Sequence, residues 1–105
     1  MSIKIKQDPK NEKFILEDNG REIGKMLYYE DYGILTLNHT RVDDDYKGKH
    51  LGDLLVDFAI EYAKKNNLKV NAVCGFARKV LEENKDKYGE ELLAEPIDET
   101  DEFQL

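Results

Sequence analysis

Two short stretches of this chain carry residue types that could do chemistry. The first is "VNAVCGF", residues 70–76, which holds the only cysteine, Cys74. Gly75 follows it and an amphipathic helical pattern begins there, so the sulfur falls near a helix N-terminus. That environment lowers a thiol pKa and favours the nucleophilic thiolate. His39, in "LNHTRV", could take the thiol proton, the cysteine–histidine logic of covalent catalysis, or either group could serve as a simple acid or base. The second stretch is "DDDYKGKHLGDLL", residues 43–55. The first N–H groups of a helix have no partner within it, and with the helix dipole they form an anion site. Gly48 and Gly52 allow a phosphate close to the backbone, and Lys47 and Lys49 supply charge. The G-x-x-x-x-G-K-[ST] spacing of a nucleotide-triphosphate loop is absent. Each feature also has a plainer reading. A lone Cys on an apolar strand face is usually a small hydrophobe. His39 could be a core histidine, His50 a loop cap, and Gly48 only a turn. One Cys and two His are too sparse for a metal site.

These residues need elements to position them. "IKIKQ" (3–7) alternates with period two and reads as an edge strand with a lysine face. "FILED" (14–18) and "REIGKMLYYE" (21–30) flank Asn19-Gly20, a strong hairpin signal. After the tight turn "EDYG", the strand "ILTLNHTRV" (34–42) puts Leu35, Leu37 and His39 on one face by alternation. The period then changes. Leu51, Leu54, Leu55, Phe58, Ala59, Tyr62 and Ala63 form a continuous helical stripe. The helix is closed by "KKNN", with basic residues in the last turn and Asn as cap. "LKVNAVC" is a fifth strand. "GFARKVLEEN" is a shorter helix with Phe76, Ala77, Val80 and Leu81 inward, and "KDKYGEELL" holds a last helical turn. Strands 34–42 and 68–74 should be parallel across a right-handed crossover. The class is α+β: a mixed, mainly antiparallel five-stranded sheet with a long helix after strand four and a short one after strand five.

The 105 residues suit one domain with one core, assigned to residues 1–92. Net charge is −7, but residues 90–105 hold seven acids and no base, so the remainder is neutral. Residues 93–105 read as an acidic, solvated and disordered tail. Without a basic stripe, nucleic acid is not an expected partner. No apolar run approaches the roughly 20 residues of a membrane span. The N-terminus lacks the apolar stretch of a signal peptide, and a single Cys suits a reducing compartment, so a cytoplasmic monomer or weak dimer is expected.

"YKGKHLGDLLVDFAIEYAKKNNLKV" resembles the pyrophosphate-binding motif and following helix of the GNAT superfamily of N-acetyltransferases. The likeness is closest to its small YjdJ-type acetyltransferase-like domains. "LNHTRV" matches their L-x-H-T-x-V, and "VNAVCGF" matches V-x-P-x-C-x-F except that Ala72 replaces Pro. Tyr46 to His50 stands for Y-x-G-x-G, with His50 in place of the last glycine. The resemblance covers about residues 10–92. It implies a minimal GNAT fold and transfer of an acetyl group from acetyl-coenzyme A to an amine on a small molecule, polyamine or protein. Lys47, Gly48, Lys49, His50, Leu51 and Gly52 would bind the pyrophosphate of coenzyme A. Asn38, Thr40 and Val42 would bind the pantetheine arm. Cys74 would act near the thioester with His39 as partner, Phe76 would border the cofactor, and Arg78 or Lys79 would meet the 3′-phosphate. Asp43, Asp44 and Asp45 should face solvent. If His50 needs positive φ, a strain of roughly 1 kcal/mol or more follows. A non-catalytic coenzyme A-binding or protein-interaction module is the alternative.

Overall fold

Two tight turns fold the first half into a meander. Asn19 and Gly20 have φ of 51° and 85°, and Tyr32 and Gly33 have 52° and 75°. Both pairs hold the left-handed backbone that matches a two-residue turn to the twist of its strands. The computed structural model describes residues 2–89 together with 92 and 93. The turns join β2 (Lys13–Asp18) to β3 (Arg21–Asp31) and β3 to β4 (Ile34–Val42), and a short 3₁₀ turn at Pro9–Asn11 links β1 (Ile3–Asp8) to β2. α1 (Leu51–Lys65) crosses over to β5 (Lys69–Ala72), and α2 (Gly75–Glu83) and α3 (Lys85–Tyr88) follow. The sheet order is β1-β2-β3-β4-β5. The first three pairings are antiparallel and β4–β5 is parallel. This is the mixed α+β sheet expected, with β1 on an edge.

α1 lies on one face of the sheet and buries Leu51, Leu55, Val56, Ala59, Ile60 and Ala63 against Phe14, Leu16, Leu35 and Leu37. Each aliphatic side chain removed from water contributes about 1.5–3 kcal/mol. The expected stripe is rotated. Leu54 is 42 % exposed, Phe58 and Tyr62 are half-buried, and Val56 and Ile60 take the central places. Ala59 and Ala63 let the helix approach the sheet closely. The large rings of Phe58 and Tyr62 stay at its flank, edge-on to Phe14 at 5.2 and 5.7 Å between centroids. The helix ends as its sequence indicates: Asn66 is the cap, Asn67 is left-handed at φ 56°, and Leu68 N–H returns to Ala63 O at 2.9 Å.

α2 buries Ala77, Val80 and Leu81 beside α1. Phe76, expected inward, is 42 % exposed. α3 is fixed to α1 by Tyr88, whose buried hydroxyl donates to Asp57 at 2.6 Å. Leu93 then forms a single parallel bridge with Val70 on the free edge of β5. The remainder of the acidic segment expected at 93–105 lies outside the described residues. Among the described residues, no helix is long and apolar enough to cross a membrane.

Candidate active site

The site begins with an irregularity in β4. Tyr28 pairs with Leu37, but Leu27 pairs with His39, so Asn38 is an extra residue in β4. A one-residue bulge reverses which side chains face which side. Before it, Leu35 and Leu37 face the helices. After it Thr40 and Val42 do, opposite Met26 and Gly24, while His39 joins Leu27 on the other face. The ladder to β5 also stops here. Its last pair is Leu37 with Ala72, and the N–H groups of Val73 and Cys74 both turn to Leu37 O, at 2.9 and 3.3 Å. Beyond Leu37, β4 therefore presents main chain that β5 does not pair.

Cys74 is half-buried at this divergence and is the residue from which α2 starts. Its Sγ lies 3.6 Å from Thr40 Oγ1, a hydrogen-bond contact for sulfur. Burial alone pushes the thiol up. The nearby N–H groups of Ala77 and Phe76 at the start of α2 and the Thr40 hydroxyl outweigh it, and the net pKa is lowered. This is the helix N-terminal effect on a thiol. The bulge also corrects the expected cysteine–histidine pair: His39 is exposed on the opposite face, and Thr40 is the side chain the structure brings to the sulfur.

Beside Thr40 and Val42, a cleft of about 360 Å³ runs to the start of α1, lined by Tyr46, Lys47, Gly48, His50, Leu51, Gly52, Asp53 and Phe76 as well. Gly48 is left-handed at φ 82° and has open space where a Cβ would stand. His50 caps α1 in the left-handed region, φ 60° and ψ 25°, with no side-chain cap bond. That conformation costs a non-glycine residue roughly 1–2 kcal/mol. The first bond from α1 back to its cap is Leu54 N–H to His50 O at 3.4 Å, so the N–H groups of Leu51, Gly52 and Asp53 precede the helical ladder. Gly52 is needed for a different reason from Gly48. A Cβ there would stand 2.7 Å from Phe76 Cζ, so the Phe76 ring rests on the bare backbone of α1.

Charge in the loop is partly internal. Lys47 Nζ bonds Asp44 at 2.8 Å and holds that carboxyl below its ordinary range. Asp44 and Asp45 face solvent, as expected. Asp43 is half-buried, 3.5 Å from Arg41, and its N–H donates to Ile23 O at 2.8 Å. Of the residues expected to hold a cofactor, Thr40, Val42, Lys47, Gly48, His50, Leu51, Gly52 and Phe76 come together in the cleft. Asn38, Lys49 and Lys79 are exposed and outside that lining. Arg78, named with Lys79 for the 3′-phosphate, donates to Ala72 O at 3.2 Å and braces the start of α2 against β5. Tyr46, named only as part of the loop motif, and Asp53, not singled out in the sequence, also line the cleft. Tyr46 anchors the loop by donating to Asp18 at 2.7 Å, with Arg21 at 3.4 Å from its hydroxyl oxygen. Its place as the tyrosine of the Y-x-G-x-G motif is the signal for it in the sequence.

A strand that parts from its parallel neighbour beside a glycine loop at a helix N-terminus defines a class of fold, that of the GCN5-related acyltransferases. Similarity to known proteins agrees. The profile of the GCN5-related N-acetyl-transferase family matches residues 13–92. Protein NATD1 of Gallus gallus is 31 % identical over 84 residues, which cover 78 % of this chain and 76 % of that protein. The solution structure of a GCN5-like protein from Staphylococcus aureus has 33 % identity and a TM-score of 0.64, covering 81 % of this chain and 82 % of its own. The fold recurs at 22 % identity in the ribosomal-protein-S18-alanine N-acetyltransferase of Escherichia coli, with a TM-score of 0.61 over 73 % of this chain and 53 % of that one. The chain belongs to the GCN5-related N-acetyltransferase family, and its enzymatic class is acyl transfer.

Proposed function

We propose that the chain binds acetyl-coenzyme A in this cleft and transfers the acetyl group to an amine through Cys74. The observation that carries the reading is the juxtaposition of the unpaired main chain of β4 beyond Leu37 with the N–H groups at the start of α1. The residues present fit the coenzyme. Its pyrophosphate suits the N–H groups of Leu51, Gly52 and Asp53, where Gly48 leaves the approach open. The amides of its pantetheine arm suit the open edge of β4 around Thr40 and Val42. When bound, the coenzyme supplies an activated acetyl thioester.

The chain's residues have distinct parts in this reading. The α2 N-terminus and Thr40 stabilise the Cys74 thiolate. Cys74 Sγ would take the acetyl group from the bound thioester, forming its own thioester as the bond to the coenzyme sulfur breaks and that sulfur takes up a proton. The amine nitrogen then attacks the acetyl carbon on Cys74, the C–Sγ bond breaks, and the nitrogen loses a proton as the amide forms. Thr40 orients the sulfur at both stages.

Calorimetric titration with acetyl-coenzyme A tests the reading. Saturable one-to-one binding is expected. Mass spectrometry should then show one acetyl group on Cys74 when no amine is added. Absence of binding up to millimolar ligand overturns the reading.

A further inference from the structure

All three helices pack on one face of the sheet, α2 beside α1 and α3 held to α1 by the Tyr88–Asp57 bond. Among the described residues, the other face is left open. Its composition can be read from the ladder. One row across four strands is Lys6, Ile15, Lys25 and Arg41, and the next is Asp8, Lys13, Leu27 and His39. These two rows lie beside the point where β4 and β5 part. They carry four bases and one acid, and that acid, Asp8, is on the edge strand with Asn11 Nδ2 donating to it at 2.8 Å. Ile15 and Leu27 are half-buried between the bases, and Val73, 55 % exposed, stands where β5 ends. Lys6 pairs with Glu17 of the row beyond at 3.0 Å and Arg41 lies 3.5 Å from Asp43, so among the described residues Lys13 and Lys25 are the bases of these rows without an acidic partner.

We infer that the open sheet face is the acceptor-docking surface and that it takes an amine carried on an acidic peptide segment. This rests on the acetyl-transfer reading above. On the helix side of the divergence, the cleft bordered by the loop, α1 and Phe76 is taken by the coenzyme in that reading, so an acceptor approaches the gap from the open side. There it meets Lys13 and Lys25 beside a small apolar strip. A polyamine is repelled by that surface, and a single amine flanked by carboxylates is attracted to it. The apolar strip of Ile15 and Leu27 gives a peptide side chain a contact that a free small amine does not use.

The test is an NMR titration of the full chain with an acidic peptide bearing one lysine, followed by the same titration with spermidine. The peptide should shift the signals of Lys13, Lys25, Leu27 and His39. The variant K13E/K25E, altered on β2 and β3 away from the cleft, should bind the peptide at least tenfold more weakly while its acetyl-coenzyme A affinity stays within twofold. Equal peptide binding by K13E/K25E, or stronger binding of spermidine, overturns the inference. Peptide binding seen only when the chain's own acidic segment is neutralised, as D98N/E99Q/D101N/E102Q, overturns it in favour of that segment as occupant. Failure of acetyl-coenzyme A to bind sinks the transfer reading but leaves the peptide shifts to be read, so the two failures are distinguishable.

Discussion

Two helices start near one another and use their N-termini differently: the cleft is lined by the start of α1 and by Phe76 of α2, and Cys74 lies outside that lining. α1 begins at His50 and α2 at Cys74, and neither first residue makes a side-chain cap bond. The short 3₁₀ turn at Pro9–Asn11, away from the cleft, is capped by Asp8 in the ordinary way. At α2 the N–H groups of Phe76 and Ala77 lie near the chain's own sulfur and help lower its pKa. At α1 the corresponding groups of Leu51, Gly52 and Asp53 face a cleft of about 360 Å³. An uncapped helix start costs about 1 kcal/mol relative to a good cap. In one place that cost leaves donors for a reactive group within the protein, and in the other it leaves donors for a ligand.

The sharpest way to break the comparison is at α2. Cys74→Ala should lower acetyl transfer at least a hundredfold while acetyl-coenzyme A affinity, measured by calorimetry, stays within twofold. Equal loss of both would place Cys74 in ligand binding and remove the distinction between the helix starts. The thiol itself gives a second readout. Alkylation by iodoacetamide follows the thiolate, so in the wild type it should reach half its maximal rate below the ordinary thiol range. In Thr40→Val that midpoint should move up, because one of the interactions stabilising the thiolate is gone.

The contact between the two helix starts comes next. Gly52→Val places a Cβ where the Phe76 ring now rests, 2.7 Å from Cζ. The ring is partly exposed and can move, so the cost should be about 1–3 kcal/mol in a urea unfolding curve. Adding Phe76→Ala removes the steric conflict and should recover part of the loss. If Gly52→Val is neutral, the ring does not lock the two helices together.

These features differ in how far the sequence revealed them, and the reason is physical. The turns at Asn19-Gly20 and Tyr32-Gly33, the extent of β4 and the end of α1 at Asn66 all follow from local backbone preferences, and each stands where its residues indicate. The bulge at Asn38 does not. It leaves no mark on composition, since β-forming residues continue along the strand on both sides of it. It lies where β5 leaves the ladder after Ala72, and pairing between strands is a non-local event. One extra residue then carried His39 to the far face and brought Thr40 to Cys74. Phe76 was misread for a similar reason. Its helical spacing points inward, but the bare backbone of Gly52 offers the ring a nearer place to pack.

His50 gives the smallest effect and the cleanest separation of the two helix starts. Its backbone is left-handed at φ 60°, its side chain is 85 % exposed, and its ring nitrogen lies 3.5 Å from Asp53 in a solvent-screened pair that contributes little. The strain is therefore nearly unrelieved by contacts. Glycine adopts this conformation freely, although it also has more freedom to lose on folding. The difference predicts a gain of up to about 1 kcal/mol for His50→Gly, a rise of a few degrees in thermal midpoint for a domain of this size. If α1 binds its ligand through backbone N–H groups alone, this variant keeps or improves acetyl-coenzyme A affinity. If affinity falls more than threefold while stability rises, the imidazole touches the ligand. The start of α1 would then resemble that of α2, with a side chain at its first residue taking part in the chemistry.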